Sequence, residues 1–397
     1  ETGVSGMEMT QLYQGFDLLG ALDFMKTSAF YITPFTADAI RSRLTPEHLV
    51  GAYTDYGMRY SVWEQLISGL RMPSVWWYAH AQRRGDARPS PEGLRLKEIF
   101  GNIRSSGADY VLGTGQRAKP GIAQVWSNAS LVAAEIGGQT GGLQAKDYTG
   151  NLNSWSELLR ELGLDAPAVL TTEELARISP GEFPVLILPL LQVLSSAEII
   201  QLERYVKEGG RLIADLFPGR YNEFGAPQVN PRLLALFGLK SASGPELGRS
   251  GSLQLESSDE LPELYLGGPL ELAEGAQARG ALGLRSRAVK LGGISLAESF
   301  RKTAPAAVSF RQGAGETLYL NFALPDYYQR DCRLERRSRA LTSALAPFLA
   351  PSGLRQSVPP AANLARYRCG GGSYIFLSRG TSDSRGEYTL RWEKGGH

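Results

Sequence analysis

Residues 183–215 constrain the fold more than any other stretch. Phe183-Pro-Val-Leu-Ile-Leu-Pro189 is fully apolar, as strands are when both faces of their sheet are covered. A helix follows over Ser195 to Glu208. It opens with Ser195-Ser-Ala-Glu198, the spacing at which a serine and a glutamate cap each other's backbone amides, and it closes on Gly209-Gly210. Gly210-Arg-Leu-Ile-Ala-Asp215 is the next strand. Strand, crossing helix and strand imply parallel pairing, and the region predicts a doubly wound, flavodoxin-like sheet. Ile122-Ala-Gln-Val-Trp126 opens that unit as a strand, and Ser154 to Gly163 reads as a further helix.

Residues 1 to about 115 repeat the pattern with shorter strands. The candidates are Gly3 to Met7, Asp23 to Ile32, Leu49 to Tyr53 and Ser74 to Tyr78, with helices over Tyr60 to Leu70 and Pro91 to Ser105. Proline near the start of the second suits a helix N-terminus. Three or four βα units are present where a closed (β/α)8 barrel needs eight. The run from Tyr60 to His80 holds Trp63, Trp76 and Trp77, three of the six tryptophans. Flat rings of this kind suit the C–H faces of a pyranose, so the run is the candidate sugar-binding surface.

Gly113-Thr-Gly-Gln-Arg-Ala-Lys-Pro-Gly121 reads as a linker between two apolar regions. Residues 240–300 are rich in Gly, Ser, Leu and Glu with weak alternation, and are expected to be an irregular or β insertion. The sheet is expected to resume at Ala307-Val-Ser-Phe310 and Gly315 to Phe322, with a helix from Leu334 to Leu349. After a Pro- and Ser-containing linker, Leu364 to Cys369, Ser373 to Ser378 and Glu387 to Trp392 alternate like antiparallel strands, the opening of a β-sandwich.

Composition narrows the function classes. With 397 residues, 43% hydrophobic and 21% charged, two or three globular domains are expected, and no apolar run of eighteen residues exists to span a bilayer. A net charge of +2, without a basic block beyond Arg336-Arg337 and its neighbours, argues against nucleic acid as a partner. Cys332 and Cys369 lack metal-type spacing, so neither a metal nor a cofactor is expected. Compartment stays open between cytoplasmic and secreted. The chain starts at Glu1 without Met or a leader and is expected to be a fragment; Glu-Thr-Gly reads either as a vector scar or as the interior of a domain.

The order of units resembles the family-42 type of β-galactosidase and its uncharacterised relatives. Gly15 to Tyr31 looks like the sixth-strand region of that family's barrel, Leu49 to Gly57 like the seventh and Pro73 to Tyr78 like the eighth. Ala123 to Ser130, Tyr205 to Gly219, Leu233 to Leu239 and Thr317 to Phe322 are similar to segments of its second domain. The resemblance implies the C-terminal part of a glycosidase barrel over 1–115. It implies a trimerisation domain of class I glutamine-amidotransferase-like fold over 120–350, with the 240–300 insertion, and the start of a C-terminal β domain over 361–397. Carbohydrate and further copies of the chain are the implied partners, a trimer by family resemblance.

Retaining glycosidases use two carboxyl groups ~5 Å apart, carried on loops after barrel strands. By the resemblance the acid/base follows the fourth strand, upstream of this chain, and the nucleophile follows the seventh. That strand end reads Ala52-Tyr-Thr-Asp-Tyr-Gly57, so Asp55 is the candidate nucleophile where the family has Glu. Glu8 is a second acidic candidate, or a solvated loop carboxylate. Tyr31, Trp76, Trp77 and His80 are candidate substrate contacts, and only one of Trp76 and Trp77 can face the barrel mouth because neighbouring side chains alternate. Amidotransfer needs a Cys on a strand-to-helix elbow with a His partner. Leu188-Pro-Leu-Leu-Gln192 has no Cys, and no His lies between His80 and His397, so a structural role is expected. Gly137-Gly-Gln-Thr-Gly-Gly142 fits no phosphate-loop pattern and is expected to be a loop. Asp215-Leu-Phe-Pro-Gly-Arg220 follows a strand, where it either binds a ligand or buttresses a subunit contact.

Overall fold

The computed structural model describes residues 88–139, 143–162, 164–216, 218–242, 252–254, 265–286, 290–291, 294–295, 299–324 and 363–378. It also describes strands at 18–21, 49–54 and 72–75, and isolated positions within 35–42, 62–69 and 345–349. The fold is mixed α/β. Strands β1 (Leu18–Ala21), β2 (Leu49–Thr54) and β3 (Met72–Val75) form a parallel sheet in that order, with Leu18 opposite Leu49 and Thr54 opposite Val75. Parallel neighbours need crossovers, and helical positions fall in both intervals: Phe35, Asp38, Ala39 and Ser42 in the first, Val62 and Ile67 in the second. The third strand therefore starts two residues before the expected Ser74. The expected strands over Gly3 to Met7 and Asp23 to Ile32 lie outside the described residues.

Helices α1 (Pro91–Ser105) and α2 (Ala108–Thr114) follow, and α1 starts on Pro91 with Ser90 Oγ accepting from the Gly93 amide at 2.9 Å. The expected linker after them is structured. Gln116–Arg117 form β4, paired with Tyr367 and Arg368 of a strand near the C-terminus. Gly115 permits the approach, because a Cβ there would collide with the Val111 carbonyl and sit 3.3 Å from the Arg368 carbonyl.

The large sheet begins at β5 (Ile122–Trp126), followed by α3 (Asn128–Gln139), α4 (Ala145–Glu161), β6 (Ala168–Thr171) and a short 3-10 turn, Thr172–Ala176. Then come β7 (Val185–Leu188), α5 (Ser196–Lys207), β8 (Arg211–Asp215), α6 (Pro231–Leu236) and β9 (Leu239–Ala242). The capping box at Ser195 and Glu198 forms as its spacing predicts, the Ser195 amide donating to Glu198 Oε2 at 2.7 Å. Two expectations change. Helix α4 starts nine residues before Ser154, and α3 runs through Gly137 and Gly138, so only residues 140–142 remain for the Gly-rich loop, outside the described set.

The 240–300 region extends the sheet. Strands β10 (Ser252–Gln254), β11 (Tyr265–Leu266), β12 (Leu270–Leu272), β13 (Gln277–Ser286), β14 (Lys290–Leu291), β15 (Ile294–Ser295) and β16 (Ser299–Gln312) lead into β17 (Gly315–Leu320) and β18 (Phe322–Ala323). The order across the sheet is β10-β13-β16-β17-β8-β7-β5-β6. From β17 to β6 the pairing is parallel, and β10, β13 and β16 add an antiparallel edge. Alternating residues split the core between the two faces. Ile122, Val185, Ile187, Ile213 and Leu318 pack on Trp155 and Leu158 of α4 together with Leu345 and Phe348. Val125, Leu186, Leu188, Leu212 and Tyr319 pack on Ile199, Leu202 and Val206 of α5.

Several contacts among the described residues tie the N-terminal elements to the rest. Phe35 stacks on Trp126 at 5.5 Å, and the fully buried Asp38 pairs with Arg160 of α4 at 3.1 Å. Strands β19 (Asn363–Cys369) and β20 (Gly372–Ser378) form an antiparallel sheet with β4. Ala365 and Tyr367 of β19 share a buried cluster with Val62, Ile67, Ile99, Ile103 and Val111. The expected third strand of that unit, Glu387 to Trp392, lies outside the described residues. No described helix is long and apolar enough to cross a membrane.

Candidate functional site

In open α/β sheets, ligands bind outside the carboxyl ends of the strands, where the order reverses. Here that reversal lies between β5 and β7, flanked by β8. Asp215, the last residue of β8, is 1% exposed and sits in this edge. Its Oδ2 accepts from Asn151 Nδ2 and Trp155 Nε1 of α4, each at 2.7 Å, and its Oδ1 accepts from the Leu190 amide. Burial pushes the Asp215 carboxyl up to about 6, against the opposing pull of those three donors.

Leu190 follows β7 with φ 43°, the only non-glycine residue at positive φ among the described residues. It lies in the turn that leaves β7, six residues before α5 begins at Ser196. Its side chain is fully buried. Neighbouring polar groups are engaged as well. Asn151 Oδ1 accepts from the Leu324 amide at 2.8 Å, Tyr148 Oη from Ser127 N at 2.9 Å, and Ser130 Oγ from Val193 N at 3.0 Å. Burial raises the Tyr148 phenol well above its usual value, so it stays neutral. These bonds hold the strands of the edge together. Among the described residues no cluster of His, Cys, Asp and Glu could hold a metal ion.

Beyond Asp215 the chain forms a loop over 218–230 that returns to α6. Gly219 has φ 64°, and a Cβ there would lie 2.8 Å from Leu233 Cδ2, so glycine lets the loop seat directly on the helix. Between this loop, α6, β9 and Tyr319 of β17 lies a cavity of about 310 Å³.

Of the residues singled out in the sequence, Asp55, Glu8, Tyr31, Trp76, Trp77 and His80 all lie outside the described residues. Their strands are informative nonetheless. Thr54 and Val75, partners at the carboxyl ends of adjacent parallel strands, are the residues immediately before Asp55 and Trp76 in the chain. Sequence reasoning missed Asn151 and Trp155, whereas Leu190 lies in the Leu188 to Gln192 run it singled out. The one signal available was the strand ending in Asp215, an acid directly after four residues suited to a core.

The sheet and the helices packed on it define a mixed α/β domain whose carboxyl edge is tied together at Asp215. The family model of the β-galactosidase trimerisation domain matches residues 121–332, and the chain belongs to this family, the family-42 type its sequence resembles. A catalytic mutant of a GH42 β-galactosidase from G. stearothermophilus is 15% identical, with a TM-score of 0.62 over 93% of this chain and 54% of that one. A β-galactosidase from a Rahnella species is 14% identical, with a TM-score of 0.63 over 94% of this chain and 57% of that one. An α-L-fucosidase isoenzyme from Paenibacillus thiaminolyticus is 15% identical, with a TM-score of 0.57 over 89% and 53%. The chain thus spans little more than half the length of these proteins, with which it shares a fold. No curated protein matches it.

Proposed function

We propose that this chain is part of a glycoside hydrolase subunit of the β-galactosidase type, acting on terminal β-linked sugars by a retaining, two-carboxylate mechanism. The observation that carries the reading is the parallel order β1-β2-β3 directly upstream of a matched trimerisation domain. In this reading residues 1–115 supply the last strands of a (β/α)8 barrel and 361–397 open a small β domain. Residues 120–350 form an amidotransferase-like module with a flavodoxin-like sheet, supported by the run β6-β5-β7-β8-β17, which is the 2-1-3-4-5 order of that fold. The module assembles copies of the chain, as a trimer by family analogy, and the substrate is carbohydrate.

Asp55, the residue that follows β2 in the chain, is the proposed nucleophile. Tyr31, Trp76, Trp77, His80 and Glu8 are the proposed sugar contacts, and the acid/base comes from sequence upstream of Glu1. A second reading rests on Asp55 itself. Aspartate is one methylene shorter than the family's glutamate, which withdraws the carboxylate by roughly an Å and costs orders of magnitude in rate. A barrel so altered would bind carbohydrate or serve assembly without cutting. In the full-length protein, Asp55→Ala should abolish turnover of a chromogenic β-galactoside while leaving the thermal midpoint unchanged. An unchanged kcat/KM removes Asp55 from the site, and a full-length wild type that binds galactose without turnover favours the second reading.

A further inference from the structure

The cavity beside the 218–230 loop is a binding site for a small aryl carboxylate, we infer, separate from the chemistry proposed for the barrel. Leu233, Leu234 and Phe237 of α6 and Tyr319 of β17 give it an apolar body, and Arg220 and Gln228 stand on its loop side. The loop wall is pinned before any ligand arrives. Gln228 Nε2 donates to the carbonyls of Leu194 and Tyr221 at 2.9 and 3.1 Å, and the Gln228 amide donates to the Arg220 carbonyl at 2.8 Å. Asn222 Oδ1 accepts from the amides of Phe224 and Ala226, which closes the loop tip, and Asn230 Oδ1 caps α6 through the Arg232 amide at 3.0 Å. Preformed walls cut the ordering cost of binding.

Charge selects the ligand class. Arg232, on the same helix, is committed to Glu203 through contacts of 2.7 and 2.9 Å. Arg220 is half-buried and has no carboxylate within ion-pair distance among the described residues; its guanidinium lies 5.4 Å from the centroid of the Tyr221 ring. An arginine in the wall of an apolar cavity can reach a carboxylate carried on a hydrophobic body. Size sets the body: a cavity of ~150 Å³ holds one benzene ring, so 310 Å³ takes about a dozen non-hydrogen atoms, the size of 3-phenylpropanoate.

Isothermal titration of the chain with 3-phenylpropanoate, and with its uncharged amide, tests the assignment. Saturable one-to-one binding is expected, with a dissociation constant below ~1 mM and roughly tenfold weaker binding of the amide, the weight of one charge-assisted contact. Arg220→Gln should weaken the acid to the level of the amide, and Ala242→Trp, placed on the cavity's half-exposed rim, should abolish both. Absence of saturable binding by the wild type at 10-fold that concentration overturns the proposal, whether the cavity is empty or covered by another copy of the chain. Equal affinity for acid and amide overturns it too, and that comparison needs no variant to fold.

Discussion

Replacing Arg160 by methionine should loosen the junction between the N-terminal elements and the large sheet. The Asp38 and Arg160 side chains are 0% and 7% exposed, and their oxygen and nitrogen lie 3.1 Å apart. Two flanking bonds hold the same helical segment: the Phe35 amide donates to Asn153 Oδ1 at 3.0 Å, and the Val169 amide to Ser42 Oγ at 2.8 Å. Methionine keeps the stem's apolar packing but removes the guanidinium that pairs with the buried Asp38 carboxylate, a break that costs about 3–5 kcal/mol for a buried pair. Replacing both partners, Asp38→Leu with Arg160→Met, puts apolar groups in place of the pair and should recover most of that loss. Urea unfolding followed by tryptophan fluorescence reads the loss, Trp126 stacked on Phe35 being one of six reporters. The single variant should unfold at clearly lower urea and the double variant near wild type. A single-variant loss below about 1 kcal/mol, or a double variant as weak as the sum of the singles, would refute a buried ion pair at this junction.

Two further outcomes follow from the carboxyl edge and the loop beside it. The Asp215 carboxyl, raised from 3.8 to about 6 by burial, contributes stability that is full below pH ~3.8 and is lost as pH rises through 6. Against Asp215→Asn, whose side chain does not titrate, wild type should therefore lose about 1 kcal/mol between pH 5 and pH 7; a pH-independent difference in urea midpoints counts against the shift. Gly219→Ala forces a Cβ at φ 64° to within 2.8 Å of Leu233 Cδ2 and should cost about 1–3 kcal/mol in thermal unfolding, with unchanged stability showing that the loop does not rest on α6.

What could be read from the sequence was what local chemistry dictates. The Ser195 to Glu198 cap, the start of α1 on Pro91 and the apolar runs of β7 and β8 each carry their signal within a few residues. Helix α4 began later in the sequence reading because Thr149, Gly150, Asn151 and Asn153 are poor helix formers. They are helical here through long-range bonds, Asn151 to Asp215 and Leu324, and Asn153 to Phe35. Strands β13 and β16 were obscured for another reason. Gly280 and Gly283 carry no side chain to alternate, the register shifts between Leu282 and Gly283, and Pro305, a residue disfavoured in strands, lies within β16. The Asp38 to Arg160 pair spans 122 residues, a separation at which no single-sequence pattern operates.

The turn at Leu190 carries a positive φ. A positive φ at a non-glycine residue costs of order 1–3 kcal/mol and persists only where surrounding structure holds it. Here the holding group is Asp215, whose carboxylate takes the Leu190 amide together with two side chains of α4. The same carboxylate ties β7, β8 and α4 into one edge. A module of this kind can carry loops on its outer face at little risk to its core, because the edge is closed beneath them. The 218–230 loop begins three residues after Asp215, so the Asp215 cluster and the cavity beside the loop are expected to be coupled, each responding to a change in the other.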